Sequence, residues 1–219
     1  MKTMTLLLLL LFNCASSEKM ETKKEIMTVS NIINLVQKND RSSVEEALKN
    51  GADVNTTDLQ KRSLILLATI KKQKEMAALL VKYGADVNQQ SENLDSPFLY
   101  AGATGQTELL KLFLDNGARF NVFNRYNGSA LIPACERGHV ETVQLLASTK
   151  NYPIDHVNRL GWTALMEAVI LGDGSETYQQ IVQILKEAGA KMDIPDNDRI
   201  TPLQHARSRG FEEIVILLK

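Results

Sequence analysis

The sequence predicts an all-α solenoid of about six helix-turn-helix units with β-turn fingers. A glycine marker of the form Gly-Ala-x-x-Asn/Asp recurs along the chain, at first every 33 residues. A second marker, Ser or Thr followed two residues later by Leu, Ile or Phe, recurs in the same order. Two markers that share one period are typical of repeat proteins, in which each unit packs only against its neighbours.

The two markers bound the helices of each unit. The glycine marker covers residues 51–55, 84–88, 117–121 and 189–193. The second marker begins at Ser63, Ser96, Ser129, Thr163 and Thr201. Its Ser or Thr is expected to cap a short first helix through a side-chain oxygen. A second helix follows with aliphatic residues at helical spacing, and the glycine of the first marker ends it.

The best copy of the second marker is Thr-Pro-Leu-Gln-His-Ala at residues 201–206. It resembles the repeat motif of the ankyrin family, and the resemblance covers about residues 28–219. The units implied are 28–55, 56–88, 89–121, 122–155, 156–193 and 194–219. The fourth unit is longer by one residue around 149–153, and the fifth by about five at 172–178.

Residues 1–13 resemble a bacterial lipoprotein signal peptide. Lys2 supplies a positive charge before the unbroken apolar run Leu6–Phe12. Seven residues are too few to span a bilayer, which takes about 20, but they suffice for the apolar region of a signal peptide.

Cys14 is the predicted lipidation site. Leu11 lies three residues before it, as in the lipobox, whereas Asn13 stands where the lipobox prefers Gly, Ala or Ser. The resemblance implies a lipid-anchored protein of the bacterial cell envelope, at the outer membrane, on its periplasmic or external face. Residues 14–27 would form a polar tether. The alternatives are ordinary cleavage, which gives a secreted or periplasmic protein, and an uncleaved cytoplasmic chain.

The sequence offers no candidate catalytic residue, cofactor site or metal site, so no enzyme is predicted. Cys135 and His139 are four residues apart, but Gly138 is expected to end the helix between them. His156 falls in a turn, and His205 lies inside a helix. A formal net charge of −1 at pH 7 does not provide the basic surface that nucleic acids require.

The fourth and fifth units carry the predicted partner-binding residues. In the ankyrin family the concave face is lined from fixed positions in the finger and near the end of the first helix. At those positions the sequence has Trp162, Leu160, Arg159, Ile170, Leu171, Tyr126, Arg125 and Arg137. Trp, Tyr and Arg dominate interface hot spots, so we expect a partner with an apolar anchor and acidic surroundings. The alternative is that Trp162, the only tryptophan, packs against the loop 148–154 and is structural.

The ankyrin resemblance implies a monomeric module that binds another protein. We expect a scaffold or stabiliser of an envelope protein. An inhibitor of the immunity type, which neutralises a toxin or an enzyme, is the alternative, and an envelope hydrolase is the least favoured reading.

Overall fold

The computed structural model describes residues 31–219, so the predicted signal peptide, Cys14 and the tether lie outside the described residues. The described part contains twelve helices and no strand, which confirms the all-α solenoid. The helices are α1 (31–37), α2 (Arg41–Lys49), α3 (Leu64–Ile70), α4 (Lys74–Lys82), α5 (Pro97–Ala103), α6 (Thr107–Asp115), α7 (Leu131–Glu136), α8 (Val140–Ala147), α9 (Ala164–Leu171), α10 (Glu176–Glu187), α11 (Pro202–Ser208) and α12 (Glu212–Leu217). None of these described helices is long and apolar enough to cross a membrane.

The helices form two parallel layers. The inner layer consists of α3, α5, α7, α9 and α11, each in contact with the next. The outer layer runs from α2 through the even-numbered helices to α12 in the same way. One continuous core lies between the layers, and Phe98, Phe113 and Leu146 are among its fully buried side chains. Each unit therefore covers the apolar side of its neighbour, as a solenoid requires.

Four of the five predicted caps hold, and the fourth unit differs. Ser63, Ser96, Thr163 and Thr201 accept a backbone hydrogen bond from the third residue after them. In the fourth unit α7 begins only at Leu131, and the expected cap Ser129 makes no such bond.

Proline at position 133 explains the exception. In the other inner helices, the fourth residue after the cap donates its N–H to the carbonyl of the cap residue, as in the bond from Leu67 to Ser63. Pro133 has no N–H to donate. At the start of the same helix, the backbone N–H of Leu131 donates to the hydroxyl of Tyr152, from the lengthened loop 149–153, at 3.2 Å.

Four of the five fingers that join successive units share one turn. In the finger before α9, the Oδ1 of Asn158 accepts from the N–H groups of Leu160 at 2.9 Å and Trp162 at 3.1 Å. Asp58, Asn124 and Asp196 make the same pair of bonds in their own fingers. Asn or Asp at this position closes an Asx turn and fixes the direction of the side chains that follow.

Glycine ends the outer helices because of its conformation. Gly84 and Gly117 have φ of +87° and +86°, and an added Cβ at either position would meet nothing within 4 Å. The left-handed backbone alone therefore selects glycine here, as is usual just after a helix.

The insertion at 172–178 ties three units together. The hydroxyl of Tyr178 donates to the backbone carbonyl of Glu136 in the fourth unit at 2.8 Å. On its other side, Gly174 lies so close to Phe211 of the last unit that an added Cβ would approach that ring to 2.5 Å. This segment of the fifth unit therefore contacts the units on both of its sides.

Candidate functional site

A groove of about 630 Å³ lies on the concave side, between the fingers and the inner helices of the third to fifth units. Six of the eight predicted partner-binding residues line it: Arg125, Tyr126, Arg137, Leu160, Trp162 and Leu171. Arg159 and Ile170 do not line the groove. Arg159 lies exposed on the finger before α9, and Ile170 is half-buried near the end of that helix.

Apolar side chains occupy the fifth-unit side of the groove. Leu160 is 50% exposed and Leu171 is 48% exposed, although both are large and apolar. Trp162 lies between them in the sequence and is half-buried, and its backbone N–H donates to Oδ1 of Asn158. Tyr126, from the preceding finger, is 52% exposed. The repeat packing does not bury these side chains, so their apolar surface remains available to a ligand.

Arginines occupy the fourth-unit side. The guanidinium of Arg125 lies 4.8 Å from the ring centre of Tyr126, and Arg137 donates from Nη1 to the carbonyl of Ala103 at 2.6 Å. Arg159 donates from Nη1 to the carbonyl of Arg125 at 2.9 Å. Burial raises the pKa of the Asp95 carboxyl, while Arg125 and Arg137 oppose that rise. Arg137 and Arg159 are thus each held by a hydrogen bond to the preceding unit.

Glu167 on α9 is a groove residue that the sequence analysis missed. It is only 5% exposed, and its Oε1 accepts from Asn158 Nδ2 at 2.8 Å. Burial, with a further contribution from Glu136, raises the pKa of this carboxyl to about 7. The sequence does contain a signal for Glu167, which is its place in the repeat. At the position four residues after the cap, the other units have Leu67, Tyr100, Pro133 and His205. Glu167 is the only carboxylate at this position, which becomes visible only when the position is compared in all five units.

Glu167 should make stability depend on pH. Its folded-state pKa of about 7 lies above the ordinary 4.5, so the folded chain binds more protons between these values. The free energy of unfolding should therefore fall as pH rises through this window, by on the order of 2 kcal/mol because the groove is open to solvent. Urea unfolding of wild type and Glu167→Gln at several pH values measures the difference.

The glutamine variant is the matched control because its Oε1 can accept the same bond from Asn158. The pKa of His139 is lowered, chiefly by burial, and this imidazole is common to both proteins. The difference between the two proteins therefore isolates Glu167. A difference that does not change with pH would contradict a raised pKa.

Cys135 and His139 do not form a catalytic pair. Cys135 is fully buried, and burial raises the pKa of its thiol well above the ordinary range. Gly138 between them has φ of +72° and separates α7 from α8. The ring of His139 lies against Gly105 of the preceding unit. His139 therefore packs between two units, and Cys135 is part of the core.

The remaining histidines are also held by neighbouring backbone or side chains. The ring of His156 stacks on Phe123 with centres 4.1 Å apart, and its Nε2 lies 2.6 Å from the carbonyl oxygen of Asn127. His205 pairs with Asp196 at 2.7 Å. In residues 31–219, no group of three or more His, Cys, Asp and Glu side chains could hold a metal ion.

Comparison with known proteins agrees with this architecture. The family model for ankyrin repeats, in three copies, matches residues 32–124 and 101–196. The ankyrin repeat protein YahD of Escherichia coli (strain K12) is 38% identical over 182 residues, which are 83% of this chain and 90% of YahD.

Two solved structures share the fold. A crystal structure of an ankyrin repeat domain from Acinetobacter baumannii AYE aligns with a TM-score of 0.84 at 44% identity and covers 86% of this chain and 95% of that one. The ankyrin repeat protein EF0377 aligns with a TM-score of 0.84 at 38% identity and covers 87% of this chain and 96% of its own.

Proposed function

Because the chain belongs to the ankyrin repeat family, whose members generally bind other proteins, we propose that it is a protein-binding module whose contact surface is the groove. One observation carries the proposal. Half-exposed Leu160, Leu171 and Tyr126 line one groove together with Trp162 and the guanidinium groups of Arg125 and Arg137. An apolar centre with a polar rim is the usual anatomy of a protein interface.

The partner presents an apolar anchor within acidic surroundings. Arg125 and Arg137 line the groove, and Arg159 lies beside it on the next finger. Arginine is favoured at such rims because its planar guanidinium can hold a carboxylate with two parallel hydrogen bonds. The acidic groups of the partner therefore steer and orient it, while the apolar anchor supplies most of the affinity.

Photo-crosslinking in the native host tests this surface. A photoreactive amino acid at Tyr126 should capture a protein, because this exposed side chain lines the groove. The same residue at Ile216 is the matched control, since Ile216 is 60% exposed but lies on the outer helix α12. Capture through position 216, with none through 126, would overturn the proposal.

We also propose that the module acts at the bacterial cell envelope, anchored through a lipid on Cys14. The support is the sequence of residues 1–14 alone, with its apolar run and its partial lipobox. Intact-mass analysis of the native protein should show a chain that starts at Cys14 and carries acyl groups. A mass equal to the unprocessed chain would reject the anchor and leave the groove proposal standing.

Within this role we propose a scaffold or stabiliser of the captured protein. The activity of that protein is the readout that separates the two open functions. A scaffold leaves the activity intact or prolongs it, whereas an inhibitor of the immunity type abolishes it when the complex forms.

A further inference from the structure

The fifth-unit side of the groove combines apolar walls with a buried carboxyl. Only 5% of Glu167 is exposed, yet this residue lines the groove together with Glu136. Asn158 donates to its Oε1, and no side chain or backbone group in residues 31–219 donates to its Oε2. Oε2 is not sealed from solvent, so the groove that admits water to this oxygen can also admit a donor from a ligand.

The other charges around Glu167 leave that oxygen available. On α7, Glu136 repels a second negative charge, and the thiol of Cys135 is buried and neutral. On α11, the ring of His205 is paired with Asp196. No basic side chain of these helices therefore neutralises Glu167.

The arginines of the groove contact groups other than Glu167. Arg125 lies over the ring of Tyr126, and Arg137 donates to the carbonyl of Ala103. Both also interact electrostatically with Asp95 on the third-unit side. The groove therefore has an arginine side, lined by Arg125 and Arg137, and a carboxyl side, lined by Glu167 and Glu136. The two sides require different groups on the same ligand.

We propose, on the basis of the protein-binding role above, that the carboxyl side receives a single lysine or arginine side chain of the partner protein. The alkyl stem of that side chain is the partner's apolar anchor and packs along Trp162, Leu160 and Leu171, and its cationic head donates to Glu167 and Glu136. Lysine and arginine have this division into an apolar stem and a charged tip, which a leucine or a methionine lacks. Trp162 adds a ring face of the kind that attracts cations.

Binding of the cation requires an ionised Glu167. The carboxyl loses its proton to solvent as the cationic head arrives, and the carboxylate then accepts a charge-assisted hydrogen bond. Because burial and Glu136 raise the pKa of Glu167 to about 7, this proton is still largely present at mildly acidic pH. Affinity for the basic side chain should therefore increase as pH rises through neutrality.

Short blocked peptides that differ at one central residue test the proposal on the full chain. The central residue is lysine, arginine or norleucine, where norleucine keeps the lysine stem without the charge. The fluorescence of Trp162 reports binding directly, because it is the only tryptophan in the protein. Each peptide is titrated at about pH 5.5 and about pH 8, on either side of the raised pKa.

At about pH 8 the lysine and arginine peptides should bind about tenfold more tightly than the norleucine peptide, and about tenfold more tightly than at about pH 5.5. Glu167→Gln should bring the affinities for lysine and arginine down to the affinity for norleucine at both pH values. Glu75→Gln, at an exposed position on α4, is the control for loss of one negative charge outside the groove.

Two outcomes would overturn the proposal. One is equal binding of the norleucine and lysine peptides at about pH 8. The other is lysine binding that Glu167→Gln leaves unchanged while its unfolding curve shows an intact fold. Neither outcome touches the role of the groove in protein binding, which capture through Tyr126 decides separately.

Discussion

Replacement of Gly102 by valine is expected to lower the free energy of unfolding by about 3 kcal/mol. Gly102 is buried in α5, where this helix packs against α7 of the next unit. An added Cβ would lie 2.7 Å from the Cβ of Ala130 and 3.0 Å from its carbonyl oxygen. Neither atom belongs to a flexible side chain, so relief of the clash must separate the two units.

Urea unfolding followed by circular dichroism measures this effect. The matched control is Ala78→Val, because Ala78 is exposed on the outer helix α4. That variant carries the helix penalty of valine without the clash and should lose less than about 1 kcal/mol. Equal losses in the two variants would show that the contact between α5 and α7 is not as close as the structure gives it.

Replacement of Leu171 by glutamate is expected to weaken binding of the crosslinked partner about 100-fold. Leu171 is 48% exposed at the end of α9, so a charge there is tolerated by the fold. In the complex the glutamate would replace the apolar wall along which the partner's side chain packs, and its charged group would have to lose water there.

Calorimetric titration of the captured partner measures this loss of affinity. Ile216→Glu is the control, since it places the same charge at a 60% exposed apolar residue on the outer layer. The control should bind within about twofold of wild type, an effect typical of a residue outside an interface. Similar losses in both variants would indicate a general effect on the fold.

The period of the sequence was sufficient to predict the repeat architecture. The glycine marker and the Ser/Thr marker act locally, through backbone conformation and capping, so their effects can be read from a short segment. Gly84 has the expected positive φ, and Ser63 and Ser96 cap the helices that follow them. Local rules of this kind transfer from unit to unit because every unit has nearly the same neighbours.

Two features could not be predicted because they depend on contacts between distant residues. The hydroxyl that accepts from Leu131 at the start of α7 comes from Tyr152, 21 residues further along the chain. Pro133 predicts that the start of this helix is unusual, because it cannot donate to the carbonyl of Ser129. It does not predict that a tyrosine of the following loop contacts the helix start. The groove role of Glu167 depends in the same way on burial by three packed helices, which residue type alone does not reveal.

The lining of the groove was predicted in outline, but the contacts of its side chains were not. Register alone indicated Trp162, Leu171 and Tyr126, since positions on a finger or at a helix end follow from spacing. Arg159 was placed in the same surface, but its side chain turns to the carbonyl of Arg125 and does not line the groove. Side-chain direction of a long residue is set by the hydrogen bonds available to it, which spacing does not determine.

Hydrogen exchange of the full chain with and without its captured partner tests most directly whether the partner binds in the groove. Binding there predicts slower exchange in the fingers at 124–128 and 158–162 and at the end of α9, with no change in α10 or α12. Slower exchange confined to α10 and α12, with the two fingers unaffected, would contradict it and move the binding surface to the outer layer.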